Sequence, residues 1–154
     1  MTAPAPRAPV SLDPATVQAG DSFGPVIVTP TQTQLFRFSA VTWNAHRIHY
    51  DLPYARAEGY QGILVQSHLH GCFLAQAVLA WGGPGSRLLR FSWQNRGVAV
   101  PGDQLACTGT VTDVTRAAGR VRVAWELEER DQEGRLCAPG TALLEVTDDQ
   151  RRGG

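Results

Sequence analysis

The stretch "NAHRIHYD" (44–51) puts two of the chain's four histidines, an arginine, an aspartate and an asparagine within eight positions. The other two histidines follow in "VQSHLHG" (65–71), so every imidazole falls between His46 and His70. Imidazole exchanges protons near neutrality, with an unperturbed pKa of about 6.5. The cluster is therefore either a site for proton transfer or an accident of sampling four residues. Metal binding is the competing chemistry. The spacing of His46, His49, His68 and His70 matches no familiar zinc pattern and no cysteine pair accompanies it, so no metal is expected. Cys72, Cys107 and Cys137 are odd in number and widely spaced, which fits neither a disulfide framework nor a C-x-x-C motif. All fourteen basic residues are arginine, which removes Schiff-base lysine chemistry and a Walker-type phosphate loop.

The elements that must position these residues divide the chain into a helix-rich first half and a strand-rich second half. A length of 154 residues implies one domain, and 43% hydrophobic with 18% charged residues is the balance of a soluble globular protein. The formal charge of zero gives no reason to expect a nucleic-acid or anionic-membrane partner. The start "MTAPAPRAPVSLDP" has no apolar run, and no stretch approaches a membrane span, so a cytoplasmic protein is expected. Residues 1–14 read as a disordered arm, 15–147 as the domain and 148–154 as a flexible tail. Thr29-Pro30 opens a helix that ends near Asn44, and 46–62 is irregular, punctuated by Pro53, Gly59 and Gly62. The clearest helix is 67–83, capped by Ser67, stopped by Gly82-Gly83-Pro84 and apolar almost all round, which predicts burial. Strands follow over 86–100, 104–115, 120–129 and 135–146, with Pro139-Gly140 marking a bulge or an edge. Val121, Val123, Trp125 and Leu127 alternate with polar neighbours, as in a sheet with one buried face. Short connections imply antiparallel pairing, so the fold class is α+β, a long antiparallel sheet wrapped around a buried central helix.

The order "FSAVTWNAHRIHYD", "EGYQGILV", buried helix and long strands resembles the MaoC-like hydratase/dehydratase family of the hotdog fold, from roughly Thr29 to Val146. The broad family motif is Asp-x-Asn-Pro-Ile/Leu-His-x-Asp, against which Asn44 to Asp51 align. The wording here is more similar to one branch, the type-2 3-hydroxyacyl-thioester dehydratases and the C4-mesaconyl (methylfumaryl)-CoA hydratases. The resemblance implies an (R)-specific enoyl-CoA hydratase or 3-hydroxyacyl-thioester dehydratase without a cofactor. Hydration of an enoyl thioester needs a base for the water, an acid for the α-carbon and donors for the developing enolate oxygen. By resemblance His49 is the general base. Asn44 stands where most members have aspartate; an amide cannot transfer the proton, so its implied role is to position the water. Backbone donors at Ser67 and His68, at the start of the buried helix, would meet the thioester carbonyl. Here the chain departs from the family, with "VQSHL" in place of Val-His-Gly-Pro-Leu.

His46 is expected to line the site and His70 to lie on the helix surface or an interface. Arg47 and Asp51 are expected to orient the loop, with Tyr50, and Tyr60 to line the acyl pocket. Arg96 is a candidate for CoA phosphates, whereas Arg90 reads as an ordinary solvated arginine. Trp43, Trp93 and Trp125 are expected in the core or at an interface. The substrate is expected to be an acyl-CoA or acyl-carrier-protein thioester, and the assembly a homodimer or higher oligomer, or a pairing with a second hotdog subunit. A non-catalytic or half-site subunit of a heteromeric dehydratase is the alternative, supported by Asn44 and "VQSHL". A hotdog thioesterase would want a carboxylate near the central helix, and "VQSHLHGCFLAQ" has none.

Overall fold

In the computed structural model, which describes residues 13–147, the alternating segment becomes the middle strand of a five-stranded sheet. That strand, β4 (Arg120–Arg130), lies between β3 (Leu105–Ala117) and β5 (Leu136–Thr147). The edges are β1 (Ser22–Val28) beside β3 and β2 (Arg87–Trp93) beside β5, and every pair is antiparallel. The expected arm and tail lie outside the described residues, apart from Asp13 and Pro14. No helix among the described residues is long and apolar enough to cross a membrane.

The period of two sends Val121, Val123, Trp125 and Leu127 to one face, and α3 (Ser67–Gly82) packs on that face through Leu69, Phe73, Leu74, Ala77, Val78 and Trp81. The Trp81 and Trp125 rings meet edge to face at 4.7 Å between centroids, and Phe23 of β1 closes on Trp125 at 5.1 Å. The α+β expectation therefore holds. α3 is not apolar all round, however. His68, Cys72, Gln76 and Ala80, four apart and so on one helix face, form an exposed stripe. Nor does Ser67 cap it: Gln66 is the N-cap, with no side-chain cap bond, and Ser67 is the first helical residue. Gly83 ends the helix as expected, its N–H donating to Leu79 O at 3.0 Å.

Helix α1 (Gln32–Thr42) starts after the Thr-Pro signal, because Thr31 supplies the cap: its Oγ1 accepts from Gln34 N at 3.1 Å. One strand and one α-helix have no counterpart in the sequence analysis. The strand β1 contains Gly24-Pro25, but β1 is an edge strand, where proline's missing N–H is tolerated. Helix α2 (Leu52–Ala57) contains Pro53, read as punctuation; in a helix's first turn proline removes no hydrogen bond. The β4–β5 register shifts between Ala138 and Leu136, next to Pro139-Gly140, where a bulge or an edge is expected. Pro139 sits within β5, one residue past the last β2 pair, Trp93–Gly140, and its carbonyl accepts Gln94 N at 2.9 Å.

Candidate functional site

The loop between α1 and α2 is held by its own side chains. Asp51 caps α2 by accepting Tyr54 N at 3.1 Å and pairs with Arg47 at 2.5 Å, and the Arg47 guanidinium lies 4.5 Å from the centre of the Tyr54 ring. The Arg47 bond, with the Tyr54 N–H, holds the Asp51 carboxyl below the usual carboxylate range. Tyr50 donates its hydroxyl to Ala45 O at 2.9 Å. Between these ties a short 3-10 turn, Arg47–His49, carries His49 inward until the residue is only 8% exposed. There His49 Nδ1 lies 2.8 Å from Leu64 O. A carbonyl only accepts, so Nδ1 carries the proton, and the neutral ring keeps the lone pair on Nε2. Burial lowers the His49 pKa below its ordinary 6.5; the Leu64 bond opposes that shift and nearby His46 reinforces it. His46 is exposed, its ring 6.0 Å from that of His49.

Asn44 is set by the end of α1. Trp43 adopts a left-handed conformation (φ 56°), after which Asn44 N donates to Ser39 O at 2.9 Å. The Asn44 Oδ1 accepts His46 N at 3.2 Å. Asn44 and Ser39 are the polar wall of an otherwise apolar cavity of about 240 Å³, completed by Phe36, Ala40, Trp43, Ala45 and Tyr50. Behind the wall, fully buried Gln66 donates from Nε2 to Leu35 O at 2.8 Å and to Ser39 Oγ at 2.9 Å. The sequence reading singled out neither Ser39 nor Gln66. The replacement of histidine by Gln66 in "VQSHL" was the available signal.

At the start of α3 the first N–H groups have no partner four residues back, as in any helix. Ser67 O accepts Trp93 Nε1 at 3.1 Å, and the exposed His68 ring stands 5.5 Å from Trp93, edge to face. Trp93 thus packs against the helix start, Trp125 lies in the core, and Trp43, expected in core or interface, is 91% exposed. Tyr60, at the surface after α2, is not among the residues lining the cavity. Arg96 and Arg90 are exposed, and Arg96 bonds to Gln94.

His70 is not a surface residue. It is buried and pairs through Nδ1 with Glu129, equally buried because it continues the inward parity of β4. Burial, followed by the Glu129 charge, pushes the Cys107 thiol up strongly and the Cys137 thiol up to about 11, so neither is a thiolate at neutral pH. Among the described residues no group of three His, Cys, Asp or Glu side chains is arranged to hold a metal ion.

A family model described as hydroxyacyl-thioester dehydratase type 2 matches residues 4–101. A mesaconyl-C(4)-CoA hydratase of Chloroflexus aurantiacus is 54% identical over 50 residues, 32% of this chain but only 18% of that protein. The (R)-hydratase of A. caviae involved in PHA biosynthesis superposes with a TM-score of 0.77 at 17% identity, covering 85% of this chain and 98% of that one. A putative MaoC domain protein dehydratase of Chloroflexus aurantiacus gives a TM-score of 0.80 at 13% identity, covering 99% of this chain and 44% of that one. At these identities the structural likeness speaks to the fold, which is the hotdog fold.

Proposed function

The chain belongs to the hydroxyacyl-thioester dehydratase type 2 family, and from that premise we propose that it is an (R)-specific enoyl-CoA hydratase, working reversibly as a 3-hydroxyacyl-thioester dehydratase. The observation that carries this reading is His49, a buried imidazole fixed in one neutral tautomer by Leu64 O. Its Nε2 takes a proton from water while the water oxygen bonds to the β-carbon. The C=C pair moves toward the thioester, whose oxygen gathers charge as the enolate forms. The enolate then collapses, the α-carbon takes the proton back from the His49 imidazolium, and the net change is the addition of one water. The enolate oxygen is met by the free N–H groups at Ser67 and His68, where the helix dipole favours negative charge. Asn44 places the water by hydrogen bonding, since an amide does not take its proton.

The thioester is carried on CoA or on an acyl carrier protein, and the site works in a homodimer or with a second hotdog subunit. Structures of the same fold solved as complexes, ChsH1-ChsH2 and HadBC of Mycobacterium tuberculosis, support a partner of the same fold. The test is hydration of crotonyl-CoA and of branched C4–C5 enoyl-CoA thioesters, followed as loss of enoyl absorbance, with and without His49→Ala. The wild type should turn over, and the variant should lose at least about a hundredfold in kcat, the usual contribution of a general base. A variant with wild-type kcat refutes the assignment of His49.

A further inference from the structure

Gln66 stands at the N-cap of α3 yet gives that helix no side-chain cap. Its amide reaches across to α1 instead, donating to Leu35 O and Ser39 Oγ. Because Leu35 O only accepts, the nitrogen must face α1, and Oε1 is turned elsewhere, buried with no donor among the described residues. A buried acceptor without a donor is destabilising, a cost that an apolar side chain of similar size would avoid. The two bonds to α1 are what the amide supplies against that cost.

Those bonds end on the residue that sets Asn44. The Ser39 carbonyl accepts the N–H of both Trp43 and Asn44, terminating α1. Its hydroxyl accepts from Gln66, which leaves the hydroxyl proton to be donated in turn, beside Asn44 in the cavity wall. On its other side the Gln66 carbonyl accepts Leu69 N at 2.9 Å and His70 N at 3.2 Å, closing the first turn of α3 behind the N–H groups of residues 67 and 68, which have no partner within the helix. Gln66 therefore ties the water-positioning half of the site, through its side chain, to the half that meets the thioester, through its backbone carbonyl. His49 is anchored separately, on Leu64.

We propose that Gln66 is a positioning residue that fixes Asn44 relative to the first N–H groups of α3, acting through Ser39 and touching no substrate itself. This rests on the hydratase reading given above. The bond from His49 to Leu64 does not pass through Gln66, so the residue governs where the water sits against the thioester and leaves the proton affinity of His49 alone.

The test is a double-mutant cycle of Gln66→Ala and Ser39→Ala on crotonyl-CoA hydration. Gln66→Ala should lower kcat about tenfold or more while KM stays within about threefold and the acid limb of the pH profile does not move. The double variant should be no slower than about twofold below the slower single variant, because both changes break one link. Effects that multiply, a Gln66→Ala enzyme with wild-type kcat, or a shifted acid limb would each overturn the proposal. If the alanine variant does not fold, Gln66→His restores a donor of similar reach; it should keep kcat within about threefold of wild type, and a deeper loss counts against the proposal. Backbone amide exchange keeps this inference separable from the function. Should the wild type hydrate no enoyl thioester, the hydratase reading falls, yet Gln66→Ala (or Gln66→His, compared in the opposite sense) must still speed exchange at Trp43 and Asn44 and spare Trp125. Unchanged exchange at Asn44 overturns the positioning role.

Discussion

A histidine that donates through Nδ1 to a carbonyl is committed to one neutral tautomer, and the role proposed for His49, a base acting through Nε2, rests on that commitment. Burial lowers its pKa from 6.5, so the neutral ring predominates at pH 7. For the proposed reaction the sign follows directly: hydration requires the unprotonated ring, so kcat/KM should fall on the acid side with a midpoint below pH 6.5. A midpoint above 6.5 would show that burial is not what sets the base. Stability moves in the same direction. The unfolded ring has the higher pKa and binds more protons in that window, so the stability linked to His49 is full above 6.5 and is lost as pH falls through the folded value. Asn44 adds no limb of its own, because an amide does not titrate.

At the scale of elements, the start of α3 depends on a glycine. A Cβ at Gly71 would stand 2.7 Å from the Trp93 ring, whose Nε1 donates to Ser67 O. Gly71→Ala would gain about 1 kcal/mol of helix propensity but lose about 1–3 kcal/mol to overpacking, because the half-buried Trp93 ring is held by its bond to Ser67 O and its stack on Phe91. Overpacking wins, so the variant should melt at a lower temperature and lose hydration rate as Trp93 leaves Ser67; a raised Tm would show that the ring gives way. This dependence was not legible in the sequence, nor were the bonds from His49 to Leu64 and from Gln66 to Leu35, because a backbone carbonyl leaves no mark in residue type. The alternation in β4 was legible, and it located both the sheet and its buried face. Carried two residues further, the same parity places Glu129 inside, where it meets His70, which had been expected on the surface. α3 was legible from its apolar run. β1 and α2 were hidden by Gly24-Pro25 and Pro53, which break a strand or helix interior but are tolerated at a sheet edge and in a helix's first turn.

The whole molecule leaves three surfaces that a lone chain has no use for. Phe36, Val41 and Trp43 stand out from α1, the last two 86% and 91% exposed. Among the described residues β2 pairs only with β5 and so presents an open edge, and α3 shows the stripe of His68, Cys72, Gln76 and Ala80. A free strand edge beside an exposed helix face invites pairing with a second sheet of the same kind. The proposed homodimer should therefore have a solution mass of at least twice 16.7 kDa, and a mass equal to one chain would refute it. The cysteines show which face is used. Cys107 and Cys137 are buried within the chain, whereas Cys72 is exposed on the α3 stripe. If that stripe and the β2 edge form the interface, a thiol reagent should find no fast-reacting cysteine in the assembled protein and one after dilution to monomers. A Cys72 that reacts equally fast in both states places the contact elsewhere, and the exposed α1 face, beside the Asn44 cavity, becomes the surface a partner must cover.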